Sequence, residues 1–325
     1  MIGITTRTIV ATVLSLAAAP WVASASAASC GGCGDRTADQ LWLVDARSGC
    51  LSGRDYEGEN LRYYLHTDRG WKKSNAEIFN DPKFALMPTV FWVHGDRVSG
   101  GEAYSIGKQV YHRLTCQIGN EQPVRFVIFS WPSTKQLAGP LKDARLKFGF
   151  TTAAGYRLAY TIAQLPPEAP VSVIAYSYGA RVTTAGLHLL GGGEIGRWAL
   201  VQRPERRAAV RATLLAPALE NGLIIPGRGH GLAVPTTERM LVVRNSADRV
   251  LNLFRFVYRG GHGPPALGSV GVAPSQLGQF ASQFDQFDAA CHLGRDHNWQ
   301  GYFYQRGVLE RIRGNLLLEF PAELA

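Results

Sequence analysis

A serine hydroxyl, a carboxylate and an imidazole, at Ser177, Asp248 and His297, are the side chains whose types and surroundings fit nucleophilic chemistry. Ser177 ends the run Val171-Ser172-Val173-Ile174-Ala175-Tyr176. Tyr178-Gly179-Ala180-Arg181 follow it, then a helical pattern closed by Gly191-Gly192-Gly193. Strand, sharp turn and helix make the form of a nucleophile elbow, in which a strained backbone projects the hydroxyl from a sheet edge. Ala175 at minus two and Gly179 at plus two are small enough for the strand and helix to pass closely, with Ala175 where G-x-S-x-G has its first glycine. The plain alternative is a buried Val-rich strand that ends in an ordinary turn serine.

A serine hydroxyl is a weak nucleophile until a base takes its proton, and the base needs an acid to orient it. Asp248 follows an apolar run at 240–244 through the turn residues Asn245-Ser246. It can equally cap a helix beginning at Arg249, and the two roles are compatible. His297 lies past the last expected strand and just before the closing helix. His262, in a Gly-His-Gly loop, and His292, close to the end of that strand, compete with it. Charge developing on a carbonyl oxygen must meet preorganised donors. The N–H of Tyr178, where a helix dipole assists, and that of Asp96, after His94-Gly95, are placed for this. The Asp96 carboxylate is then expected to turn away, toward Arg97. No metal or cofactor is implied, since the histidines do not fall at ligand spacing.

These residues need elements that bring them to one edge. Strands are expected at 41–44, 61–65, 89–93, 124–129, 171–176, 211–215, 240–244 and 284–291, and helices at 102–117, 141–165, after Ser177 and at 299–317. Strands alternating with helices imply a mainly parallel sheet covered on both faces. Its carboxyl edge would carry Ser177, Asp248 and His297 together.

Residues 1–29 read as a targeting segment: Arg7 begins it, an apolar core spans 9–19, and small residues such as Ala25-Ser26-Ala27 offer a cleavage site. Export follows, with 30–38 a Cys/Gly leader and 39–325 a single domain. Cys30, Cys33, Cys50, Cys116 and Cys291 are an odd set for an oxidising compartment, so lipidation of Cys30, which would anchor the chain to a membrane, stands as an alternative. Hydrophobic residues at 46% and charged ones at 18% describe a globular chain. The net charge of +9, from 34 basic and 25 acidic residues, is scattered. Its one cluster, Arg203, Arg206, Arg207 and Arg211, lacks the interleaved aromatics of a nucleic-acid surface.

Val93-His94-Gly95-Asp96-Arg97, Phe129-Ser130-Trp131-Pro132-Ser133, Ala175-Tyr176-Ser177-Tyr178-Gly179, Asn245-Ser246-Ala247-Asp248 and Asp296-His297 together resemble the landmarks of the α/β-hydrolase superfamily. Within it the series is similar to a bacterial, esterase- and lipase-like group described as alpha/beta hydrolases of unknown function. The resemblance covers 88–314. It departs at Tyr176, where many members carry His, and at Asp96, where Asn or Phe is commoner. It implies the α/β-hydrolase fold and a triad of Ser177, His297 and Asp248, in the chain order expected of that fold. About two dozen Gly- and Pro-rich residues separate the strands ending at 215 and beginning at 240, so little or no cap domain is expected. Phe254, Phe256 and Tyr258 would line one wall, and packing in the core explains them equally well. The resulting expectation is an exported serine hydrolase that cleaves a small-molecule carboxylic ester or thioester through an acyl-enzyme. A catalytically silent binding protein of the same fold is the alternative. A thiol oxidoreductase resting on Cys30 and Cys33 is a third reading.

Overall fold

The computed structural model describes residues 36–48, 60–116, 122–201, 205–258 and 260–319. The targeting segment, Cys30, Cys33 and Cys50 lie outside them. Nine strands form one sheet: β1 (Gln40–Asp45), β2 (Arg62–Thr67), β3 (Gly70–Ser74), β4 (Thr89–Val93), β5 (Arg125–Ser130), β6 (Val171–Tyr176), β7 (Val210–Leu215), β8 (Arg239–Arg244) and β9 (Phe284–Asp288). Their order is β3-β2-β1-β5-β4-β6-β7-β8-β9. The seven strands from β1 to β9 in that order run parallel, and β2 and β3 form an antiparallel hairpin on the outer side of β1. This is the α/β-hydrolase architecture.

The centre of the sheet follows from composition. Every residue of β4, β5 and β6 is buried, as largely apolar runs are when helices cover both faces. The longer helices are α1 (Gly100–Thr115), α2 (Pro140–Ala163) and α3 (Tyr178–Leu190). Short ones follow: α4 (Arg249–Asn252), α5 (Ala290–Leu293), α6 (Trp299–Tyr304) and α7 (Arg306–Gly314). Ser99 and Glu102 start α1 with a reciprocal capping box, at 3.3 and 2.8 Å. Trp92 of β4 packs under Trp299 and Phe303 of α6, at ring separations of 6.4 and 5.6 Å.

Three details differ from the sequence pattern. The last strand stops at Asp288, because Asp288 Oδ1 accepts the N–H groups of Ala290 and Ser246 and turns the chain into α5. The closing helix is two helices, broken where Gln305 takes extended backbone (φ −84°, ψ 113°). Strand β3 was not evident in the sequence: Trp71-Lys72-Lys73 is a short, charged edge strand.

The strand order reverses beside β4. From there α1 leads to β5 on one side, while β6 pairs on the other with Val93 opposite Ala175. A crevice therefore opens at the carboxyl ends of β4 and β6, where α/β sheets hold their ligands.

Candidate active site

Ser177 leaves β6 with φ 55° and ψ −120°, a conformation that side-chain-bearing residues rarely adopt. Hydrogen bonds hold the turn from three directions. Ser177 N–H donates to Leu215 O at 3.0 Å, and Ser177 O accepts from Ala180 and Ala218 at 3.0 and 3.1 Å. Gly179 is required by space, since a Cβ there would collide with the carbonyl oxygens of Val93 and His94. Gly95 is nearly as confined: its Cβ would lie 2.9 Å from the Tyr176 ring and 3.2 Å from Ser177 Cβ.

The three residues singled out in the sequence meet at this edge. His297 Nε2 lies 2.9 Å from Ser177 Oγ, and His297 Nδ1 lies 2.6 Å from Asp248 Oδ2. Asp248 is fully buried, and its two oxygens divide the two roles the sequence left open. Oδ1 caps α4 by accepting from Val250 and Leu251 at 2.8 and 3.1 Å, and Oδ2 faces His297. The His297 ring packs on Tyr176 at 5.1 Å. His292 sits exposed on α5 beside Phe287, and His262 is exposed in its loop.

Asn245 is a residue at this site that the sequence reading credited only with turn formation. It is buried, and its side-chain amide donates to Gly294 O at 2.9 Å and to Asp296 O at 3.4 Å. It thereby ties the loop carrying His297 to the end of β8. No local signal distinguishes this amide from any other turn asparagine.

The N–H groups of Tyr178 and Asp96 both lie at the crevice, and among the described residues neither has a hydrogen-bond partner. The Asp96 side chain is less simple. Its Oδ1 is buried without a partner among the described residues, and burial pushes its pKa up to about 6 despite the attraction of Lys147. Arg97 Nε lies 3.8 Å from Asp143 Oδ2, and Lys147, fully buried, lies 2.9 Å from Asp143 Oδ1. Phe254 and Tyr258 belong to an aromatic cluster around Phe148, which also touches Tyr178 at 6.3 Å. Arg181 lies over Phe148 and pairs with Glu220, to which Tyr258 also donates. Residues 216–238 form successive turns packed on α3 rather than a helical cap, with His188 accepting the Leu232 N–H at 3.2 Å.

Elsewhere, Cys116 is disulfide-bonded and Cys291 is a free, exposed thiol. Arg206 donates to carbonyls of Ile162 and Ala169, while Arg207 and Arg211 pair with Glu168 and Glu238. Among the described residues no helix is long and apolar enough to cross a membrane.

No protein-family model matches the chain, and no curated protein matches it. Among solved structures it is similar to esterase B from Lactobacillus rhamnosis in a C6-C4 SN3 inhibited form. Identity is 11% over 85% of this chain and 86% of that chain, with a TM-score of 0.36. The tributyrin phosphonate-inhibited form of the same esterase gives 12%, 85%, 85% and 0.35. An acetyl xylan esterase gives 12% identity over 71% of this chain and 99% of its own, with a TM-score of 0.34. Likenesses this distant carry no argument about activity, which rests on the geometry of the site.

Proposed function

We propose that this chain is an exported serine hydrolase that cleaves carboxylic esters or thioesters through an acyl-enzyme, in the manner of the esterase-like α/β-hydrolases it resembles. The observation that carries the reading is the unbroken hydrogen-bonded line Ser177 Oγ, His297, Asp248 Oδ2, at 2.9 and 2.6 Å, on the strained turn beside two N–H groups that have no partner among the described residues. Ser177 Oγ attacks the carbonyl carbon while its proton passes to His297 Nε2. The displaced electron pair settles on the carbonyl oxygen, where the N–H groups of Tyr178 and Asp96 meet it. Collapse expels the alcohol or thiol, which takes the proton from His297. Water then gives its proton to His297 and attacks the acyl carbon, and the acid leaves as Ser177 regains its proton. Asp248 keeps the Nδ1–H tautomer in place throughout.

The test is labelling by a fluorophosphonate and turnover of p-nitrophenyl esters by the mature protein. Ser177→Ala should lose label and lose turnover by about a thousandfold or more, with the folded state retained. Turnover that persists in folded Ser177→Ala removes the reading. Export rests on residues 1–29, and mass spectrometry of native protein should find that segment absent. A retained Met1 would overturn it.

A further inference from the structure

His94 is fully buried at the end of β4, and each of its ring nitrogens is committed. Nε2 receives Arg47 Nη2 at 3.2 Å and the Trp131 N–H at 3.3 Å. A guanidinium and a peptide N–H can only donate, so Nε2 accepts and the single ring proton sits on Nδ1. Nδ1 lies 2.9 Å from Gly95 O, to which it donates. Burial, then the charge of Arg47, push the pKa of His94 down to about 3, so a second proton does not intrude near neutrality. Because the Gly95–Asp96 peptide is planar and trans, fixing its C=O on one side sends the Asp96 N–H to the other. That N–H is one of the two donors at the crevice without a partner among the described residues.

Arg47 holds more than the imidazole. Its Nε donates to Ser130 Oγ at 2.6 Å, Nη1 to Thr134 Oγ1 at 3.0 Å, and Nη2 also to Val98 O at 2.9 Å. One side chain, arriving from the end of β1, thus ties the loop after β4 to the loop after β5. Four donated bonds in fixed directions suit a planar guanidinium and not an ammonium.

We propose that Arg47 is a positioning residue of the oxyanion hole: through the Nδ1–H tautomer of His94 it locks the Gly95–Asp96 peptide with the Asp96 N–H turned toward the substrate oxygen. This rests on the hydrolase reading above. Arg47 touches neither substrate nor the reacting atoms, so its effect belongs to the transition state.

Arg47→Met and Arg47→Lys test it, assayed on p-nitrophenyl butyrate with active sites counted by fluorophosphonate titration. In Arg47→Met, kcat per titrated site should fall about tenfold or more, because a misaimed oxyanion donor forfeits part of the hundredfold or greater factor such a donor supplies. KM should stay within about threefold. The Ki of an alkyl trifluoromethyl ketone, whose adduct carries the oxyanion, should weaken by the same factor as kcat. Arg47→Lys should recover little of the loss. A merely structural Arg47 would lower the titre and leave kcat per site within about twofold, and that result overturns the inference while the hydrolase reading stands. A wild-type protein inert to both ester and fluorophosphonate would remove the two together. Nitrogen-15 NMR of wild-type protein decides independently of any variant's folding. His94 should show a protonated Nδ1 and a bare Nε2, and the opposite tautomer overturns the relay.

Discussion

At the carboxyl edge of the sheet Arg97, Ser177 and Ala216 hold φ angles of 58°, 55° and 43°, and among the described residues no other non-glycine residue has a positive φ. At the amino edge the same strands are fed by Pro88 and Pro170, whose carbonyls accept from Arg125 and Thr89 at 2.9 and 2.8 Å. Polar burial differs in the same way. Asp248 has both oxygens engaged and His94 both nitrogens, each by partners from separate loops. The guanidinium of Arg125, fully buried at the amino edge between Phe79 and Phe84, makes one hydrogen bond among the described residues, to Phe79 O at 3.1 Å. Its Nε and Nη2 have no partner among the described residues. Among the described residues, positive-φ strain at side-chain-bearing residues is thus confined to the edge where chemistry is proposed, which is where a fold tolerates its cost.

The contrast breaks first, and by the largest effect, at the histidines. His297→Ala should lower ester turnover by about a thousandfold or more, while His262→Ala and His292→Ala stay within about twofold. An inactive His292→Ala with an active His297→Ala would mean that α5 and the loop after it are misplaced. Asp248 comes next, because its oxygens separate two functions. Asp248→Asn keeps a capping oxygen, so stability should hold while turnover drops by about a hundredfold or more through the wrong histidine tautomer. Asp248→Ala should add a stability loss of about 1 kcal/mol from the uncapped α4. Equal melting temperatures for the two variants would show that the cap is idle.

A smaller effect is expected from pH. Asp96 has a folded pKa of about 6, above its unfolded value, so its neutral form suits the fold. It costs nothing below the unfolded pKa, and its penalty grows as pH rises through the folded pKa. Asp96→Asn should therefore be more stable than wild type by about 1–2 kcal/mol at pH 8, a gain that vanishes as pH falls toward 4. His94 acts with the opposite sign: its depressed pKa contributes stability above about 6.5 that is lost as pH falls toward 3. Chemical denaturation across that range checks both, and a pH-independent difference for Asp96→Asn would contradict the assigned burial. The smallest change is expected at the amino edge. Arg125→Met should leave kcat unaltered and shift stability by no more than about 1 kcal/mol either way, since a buried cation that Asp81 attracts without forming an ion pair gains little over an apolar isostere. A loss of kcat there would end the contrast between the edges.

How much of this was legible follows from range. The elbow is written in consecutive residues: an apolar run, a serine, and small neighbours at plus and minus two, each demanded by a contact within that turn or against the adjoining strand. The strands at 89–93 and 171–176 were equally plain, because full burial on both faces leaves a nearly continuous apolar run, with Thr89 and Ser172 the polar members. Asp248 and His297 were reachable from chain order once Ser177 was fixed. Periodicity failed where a single residue reversed a local trend. Gln305 breaks an otherwise continuous helical pattern, and Asp288 ends a strand that the following apolar residues could have extended.

The sequence by itself determined the sheet's central strands, the turn that presents Ser177, and the residue types that could serve as acid and base. Those features depend on hydrophobic period and on local steric fit, which neighbouring residues encode. The tertiary structure alone decided that Asp248 caps with one oxygen and faces His297 with the other. It alone brought Asn245 to the carbonyls of Gly294 and Asp296, and Arg47 to His94, Val98, Ser130 and Thr134. These contacts join loops that follow different strands, and they form only after the strand order places β1, β5 and β4 side by side and β8 beside β9. A hydrogen bond across such a gap leaves no period in the chain, because its direction is set by the packing of the sheet and not by the residues next to it.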